Sequence, residues 1–406
     1  MKFKNNFLNK LNKKKFLICI ILLLLAVLSS MFGMVIVSAD NDENNTQEVE
    51  RELSQVVDEL LSDINLNELE LIVDDLDTMN LFDTSIKDKI NDILSGKYFT
   101  NYSNIFSAIL SLFFVDVREF LPFLFTILAI GILANLINEF SSDKNSTGDI
   151  VHFVCFSIMI IVIFYVFKDV LAVTSKTLSI ILKQIQIVFP ILIVLLTSIG
   201  SFSTISIYNP LVAVLTTIVS VVFEKFLYPM FIIMFVFSII GNLTETVKLG
   251  KFQGFLSSCF KWSVGMVFTL FTAFLSLQGI SAGRFDSISI KATKFAVKSY
   301  IPIIGSYISD GMDFLVLGSV LVKNTIGLVG ILILFLTIAS PIISMLVIKL
   351  GLQLCSGVLE MSGSNKMSGF VSSCSKILIY PIVLILGVAF MYTITIALIM
   401  CTANIF

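Results

Sequence analysis

Four polar side chains carry the clearest chemical signal in this chain: Asp310, Asp313, Lys323 and Asn324 bracket the apolar piece Phe314 to Val322. Charged groups within a membrane segment are costly to desolvate and default to lining an ion or solute path. The piece between them is too short to cross a bilayer, which predicts a broken or re-entrant segment of the kind that borders a pathway. An ordinary extracytoplasmic loop followed by a helix start accounts for the same residues equally well. Lys168 with Asp169, Glu224 with Lys225, and Lys349 fall near the ends of apolar segments and read as boundary markers.

A second signal is an eleven-residue motif that occurs twice, KFQGFLSSCFK from Lys251 to Lys261 and KMSGFVSSCSK from Lys366 to Lys376, with seven identical positions. Phe252, Phe255, Leu256, Cys259 and Phe260 stand at helical spacing, and Met367, Phe370, Val371 and Cys374 repeat that pattern. Each copy is expected to form an amphipathic helix lying in the membrane interface, its flanking lysines reaching the headgroups. Gly254 and Gly369 would allow close backbone approach. An elbow that orients the next span and a docking face for a partner both fit.

Catalytic signatures are missing. The single histidine is His152, and no GxSxG, HExxH, CxxC or P-loop occurs. Paired aspartates inside clear apolar spans, as intramembrane proteolysis needs, are not present either. No basic patch interleaved with aromatics suggests nucleic-acid binding. The expectation is a protein without enzymatic activity, catalytic or metal-binding residues, or a cofactor.

The elements that must position these groups follow from composition. The 406 residues are 56% hydrophobic and 14% charged, with 37 phenylalanines, and the mean hydropathy is +0.97. Several apolar stretches are long enough to cross a bilayer core as helices, and the runs Ile158 to Phe167 and Leu328 to Ala339 lack the alternation of a β-barrel. The fold class is therefore all-α, a polytopic helical integral membrane protein. The six cysteines lie in or beside apolar segments, so no disulfide framework is expected.

Charge divides the chain. Six lysines in the first 15 residues, an apolar run from Phe16 to Val37 and Val37-Ser38-Ala39 before Asp40 have the form of a signal peptide over 1–39, with an uncleaved anchor as the competing reading. Residues 40–97 hold 17 of the 29 acidic residues and four basic ones. They define an acidic extracytoplasmic helical segment, 40–104, because the lysine cluster stays on the cytoplasmic side. Two amphipathic stripes run through it, Val49 to Ile64 and Ile86 to Leu94; they need cover from each other, from the membrane domain or from another exported protein.

An interfacial helix, Ile105 to Val115, is expected to stop at Asp116, Arg118 and Glu119, with two spans completing 105–175. Pro190 and Pro302, Pro229 and Pro341, and the two lysine-bounded motifs recur at nearly one offset, which points to an internal duplication, repeat 1 over 176–290 and repeat 2 over 291–406. Val188 to Phe223 reads either as two short crossings or as a re-entrant hairpin, so crossing parity stays open between parallel and inverted repeats. Six to eight crossings are expected after the signal sequence.

The stretch ATKFAVKSYIPIIGSYISDGMDFLVLGSVLVKN at Ala292 to Asn324, followed by TIGLVG, resembles the stage III sporulation protein AE family of endospore-forming bacteria. The resemblance is carried by KFAV at Lys294 to Val297, IPIIG at Ile301 to Gly305, Ser309-Asp310 and the KN-x-x-G element at Lys323 to Gly327. It implies a multi-pass protein of the mother-cell membrane around the forespore. Such a protein would be a subunit of the channel apparatus that joins the two cells and sustains late forespore gene expression. Implied partners are other stage III sporulation membrane and ring proteins and an associated ATPase; the family brings no catalytic residues. From the residues alone, a stand-alone secondary transporter with a substrate site at the repeat interface remains the alternative, and a scaffold without a path is not separable from the conduit.

Overall fold

The computed structural model describes residues 55–57, 59–61, 70, 102–140, 147–243, 250–279, 282–300 and 305–402. The chain divides into two compact units, Met1–Gln55 and Val56–Phe406, and the helices defined here belong to the second. The expected signal peptide, nearly all of the acidic segment and the stripe Ile86 to Leu94 lie outside the described residues.

Among the described residues the structure is helical throughout, without strands. In chain order, α1 is Tyr102–Phe140, α2 Thr147–Ile199, α3 Phe202–Thr217, α4 Tyr228–Leu243, α5 Gly250–Gly279, α6 Ala282–Tyr300, α7 Gly305–Met361, α8 Asn365–Ile377 and α9 Ile379–Cys401. A π-helical segment, Ile218–Leu227, joins α3 to α4 into one rod. It ends just before Pro229, whose ring would otherwise collide with the carbonyl four residues earlier; a wider turn relieves that clash.

Among the described residues, six stretches are long and apolar enough to cross a membrane: Leu110–Ile137, Phe153–Ile199, Phe202–Asn242, Gly250–Ser276, Gly311–Met361 and Asn365–Cys401. That number is the lower bound of the expected range, and the chain is a multi-pass helical protein. Two expectations about breaks are overturned. The charges Asp116, Arg118 and Glu119 do not end a helix, for α1 runs through them from Tyr102 to Phe140. Phe314 to Val322 is not a short broken piece; it lies inside α7, which continues for 57 residues, about 85 Å of helix. Val188 to Phe223 resolves into the end of α2, a tight turn and the rod that follows.

That turn explains itself chemically. Gly200 adopts φ 83°, its N–H donates to the Thr197 carbonyl, and the Ser201 N–H donates to the Leu196 carbonyl at 3.0 Å. This is the two-bond C-terminal cap that favours glycine. Gly363, at φ 88°, ends α7 in the same way, with Ser364 N–H donating to the Leu359 carbonyl.

Helix α7 is the axis, packed against α1, α2, α6, α8 and α9. A helix apolar on every side can be covered by protein or by lipid, and Val322 to Ala339 is almost wholly enclosed by protein. Small residues set the close approaches. A Cβ on Gly330 would lie 3.1 Å from Val188 of α2, one on Gly327 2.7 Å from Met400 of α9, and one on Gly351 2.9 Å from Leu124 of α1. Such glycines let apolar helices approach where lipid offers no hydrophobic drive to associate. Gln184 of α2 donates to the Thr337 hydroxyl of α7, and Thr337 in turn donates to the Ile333 carbonyl. The pairs Gly330 with Val188 and Thr337 with Gln184 make α2 and α7 antiparallel.

One turn of the acidic segment has a partner. Val57 and Leu61 are buried, and a Cβ on Gly318 of α7 would meet a Val56 methyl at 2.7 Å and Leu60 at 3.8 Å. Part of the first amphipathic stripe therefore packs on the helical domain.

Candidate functional site

Lys323 is fully buried within α7. Its ammonium donates to the carbonyl of Met400 at 3.3 Å and to that of Thr402, both at the end of α9. The last carbonyls of a helix have no partner within it and carry the negative end of its dipole, so a cation there supplies both hydrogen bonds and charge. Lys323, Gly327 and Gly330 stand at i, i+4 and i+7, one face of α7. The lysine holds the end of α9 and the glycines admit its side. The KN-x-x-G element is thus a helix-docking device.

Around that end gather further polar groups. Tyr208 of α3 is buried and hydrogen-bonded to the Thr402 side chain. The Asn324 amide oxygen, next to Lys323, is enclosed without a hydrogen-bond partner, as is the Ser319 hydroxyl one turn earlier. Three elements therefore close on one polar knot: α7, the end of α9 and the start of α3.

Asp313 does not join it. Ten residues before Lys323, about 15 Å along the helix, it pairs with Lys294 of α6. Partial burial, then the like charges Lys298 and Lys291, push the Lys294 ammonium below its ordinary range; the carboxylate opposite offsets part of that cost. Asp310 lies on α7 one turn before Asp313, and its side chain is outside the described residues. Of the residues expected to bracket a pathway, Asp313 thus belongs to an α6–α7 ion pair and Lys323 to a buried anchor for α9, with Asn324 beside it. Lys294, Tyr208 and Thr402 were missed in that role. Lys294 opens the KFAV element, which was signal enough to weigh it; Tyr208 and Thr402 are ordinary in sequence and become partners only through folding.

The duplicated motif takes two settings. Copy one is the first third of α5, where Lys251, Gly254 and Lys261 are exposed, as are Phe252 and Phe255, and Phe260 alone is buried, its ring 4.7 Å from Tyr380 of α9. A Cβ on Gly254 would meet nothing within 4 Å, so no close approach uses it. Copy two is α8, folded back on α7. Met367, Phe370, Val371 and Cys374 are fully buried, Phe370 lies 5.3 Å from Phe156 of α2, and Ser368 donates to the Ser356 carbonyl of α7 at 2.8 Å. Lys366 and Lys376 remain exposed at its ends. A Cβ on Gly369 would stand 3.4 Å from the Asn242 amide oxygen of α4.

No group of three or more His, Cys, Asp or Glu stands close enough to hold a metal among the described residues. The arrangement offers fixed charges and helix junctions.

Comparison with known proteins gives one consistent result. The family model for stage III sporulation protein AE matches residues 84–403. The stage III sporulation protein AE of Bacillus subtilis (strain 168) is 23% identical over 274 residues, which cover 68% of this chain and 68% of that protein. No solved structure matches. The chain belongs to the stage III sporulation protein AE family.

Proposed function

We propose that this member of the stage III sporulation protein AE family is a membrane subunit of the channel apparatus connecting mother cell and forespore. It is required for late forespore development and gene expression. The observation that carries the reading is the family match across residues 84–403, which includes the polar knot at Lys323. Six apolar helices suit a multi-pass subunit, and the family is a sporulation family and not a known enzyme family.

The protein sits in the mother-cell membrane around the forespore, with residues 40–104 in the space between the membranes. Its partners are the other stage III sporulation membrane and ring proteins and an associated ATPase. The packing of Val56 and Leu60 on Gly318 supports placing the start of α7 on that extracytoplasmic side. By the antiparallel pairing of α7 with α2 and α9, the Gly200 turn, Tyr208 and the end of α9 then share it. The polar knot and the Lys294–Asp313 pair face the compartment where ring subunits would assemble.

The test is deletion of the gene in its source organism, with a late forespore-specific fluorescent reporter and a complemented control. Small, collapsing forespores with a silent reporter are the expected result. Normal spores with an active reporter would remove the sporulation role. Loss of co-purifying subunits from a chain lacking Asn41 to Asp92 would assign partner docking to the acidic segment; unchanged co-purification would confine that segment to packing within its own chain.

A further inference from the structure

Helix α6 leaves an amphipathic stripe on its outer side. Ile288 and Phe295 are 66% and 72% exposed, and Lys291, Ala292 and Lys298 are exposed beside them, all at helical spacing. The opposite side holds Ile290, buried against the Gly200 turn, and Lys294, paired with Asp313. Along its length α6 carries Arg284, Lys291, Lys294 and Lys298 against a single acid, Asp286.

An amphipathic helix covered by lipid lies flat in the membrane interface, and α6 does not have that course. Val188 faces Gly330, so the Gly200 turn is level with about residue 318 of α7 by the antiparallel run of α2. Ile290 meets that turn and Lys294 meets Asp313, which sets α6 antiparallel along α7. Its neighbour is the stretch before the charge-free run Asn324 to Ile348, whose 25 residues alone make about 37 Å of helix, more than one bilayer core. Ile288 and Phe295 therefore call for cover by protein.

The chain supplies a matching occupant nearby. Residues 52–86 contain no lysine or arginine, and 62–86 hold seven acidic residues. Within them Leu66, Leu69, Val73 and Leu76 fall on one side of a helix, with Glu70 and Asp77 along one edge of that side and Glu68 and Asp75 along the other. Glu70 is helical and half-buried. Each acidic edge repeats at seven residues, as do Lys291 and Lys298. The segment also begins beside the stripe, since Val56 and Leu60 pack on Gly318, five residues and about 7.5 Å along α7 from the Lys294–Asp313 pair. From Leu61 to Leu66 the chain reaches at most about 17 Å. Such a tether holds the segment near α6 at an effective concentration on the order of millimolar, above that of a second copy.

We infer that the outer stripe of α6 is the seat of the acidic helix 66–77 of the same chain, its leucine side over Ile288 and Phe295 and its carboxylates against Lys291 and Lys298. A helix laid along another uses anchors at i, i+3, i+4 and i+7 and takes its register from the flanking charges. The inference stands on packing within this chain and does not depend on the conduit reading.

Cysteine pairing tests it in the full chain, with Cys259 and Cys401 replaced by alanine and membranes opened before oxidation with copper phenanthroline. Phe295→Cys is combined in turn with Leu66→Cys, Leu69→Cys, Val73→Cys and Leu76→Cys, and mass spectrometry of the digested monomer reads the linked peptides. At least one of the four pairs should link within the chain, whichever way the helix runs, while Thr78→Cys, on its far side, should not. E70K/D77K should lower the yield of the linked pair by roughly tenfold, and adding K291E/K298E should restore it. A yield unmoved by these reversals would overturn the pairing of those carboxylates with the two lysines. Absence of any intrachain link would overturn the inference outright. Linkage of Phe295→Cys between two chains would then give the stripe to a second copy, and quenching of a fluorophore on Phe295→Cys by nitroxide lipid would give it to the membrane.

Discussion

The two copies of the lysine-bounded motif, one in α5 and one forming α8, share seven of eleven residues and have opposite environments. Phe255 of the first is 59% exposed; Phe370, its equivalent in the second, is fully buried. In α5 the helix runs straight on for 30 residues, so the motif's apolar face continues into Trp262, Met266 and Leu270, all exposed and suited to lipid. In α8 the chain has just reversed at Gly363 and breaks again at Leu378, which lays the same face between α7, α4 and α2. An amphipathic pattern specifies that a face be covered; it does not specify by what.

The strongest way to break this comparison is to truncate the equivalent phenylalanines. Phe370→Ala should cost about 3–5 kcal/mol in detergent-solubilised unfolding, and Phe255→Ala about 0.5 kcal/mol or less. Equal losses would mean that the α5 face is also packed. Next in size, Lys323→Met leaves the Met400 and Thr402 carbonyls without their donor and should cost about 1.5–3 kcal/mol, whereas Lys251→Met, exposed at the start of copy one, should be near neutral. A maleimide comparison follows: Cys259 should react in the folded protein and Cys374 should not until unfolding, since its thiol is enclosed against Ser238. Mass spectrometry of the labelled peptides reads the result, and a reactive Cys374 would dislodge α8 from its place. The smallest effect sharpens the glycine pair. Gly254→Ala, in open space within a helix, should stabilise by about 0.5–1 kcal/mol, and Gly369→Ala should gain less because its Cβ meets Asn242.

Much of the architecture was legible in the residues. Hydropathy points to an all-helical membrane domain, and the run Leu328 to Ala339 marks a span whose end Lys349 was read as bounding. The element KN-x-x-G was visible as a unit, though not its work as an anchor for α9. What failed was the reading of charges as helix ends. Asp116, Arg118 and Glu119 were expected to stop a helix, but α1 buries only part of its surface and leaves Glu119 exposed while Phe120 packs inward. Asp313 and Lys323 were expected to flank a broken segment, yet Lys294 neutralises one and the end of α9 receives the other. A charge does not by itself end a helix, and the partners that receive Asp313 and Lys323 are distant in sequence and invisible to local pattern.

A stripe of charged residues on α2, exposed at Asp169, Lys176 and Lys183, shows the same division from the other side. Its spacing is written in the chain, since Asp169, Lys176 and Lys183 recur every seven residues. Which way it faces is fixed by packing from far along the chain: Gln184 bonds Thr337 of α7, Val188 lies against Gly330 of α7, and Phe189 meets Tyr392 of α9. Sequence by itself determined the helical class and the amphipathic faces, which depend on side-chain periodicity within a few residues. Tertiary structure alone decided which copy of the repeated motif is core and which is surface, and that Lys323 is an anchor, because burial and pairing are set by neighbours that the fold brings from far along the chain.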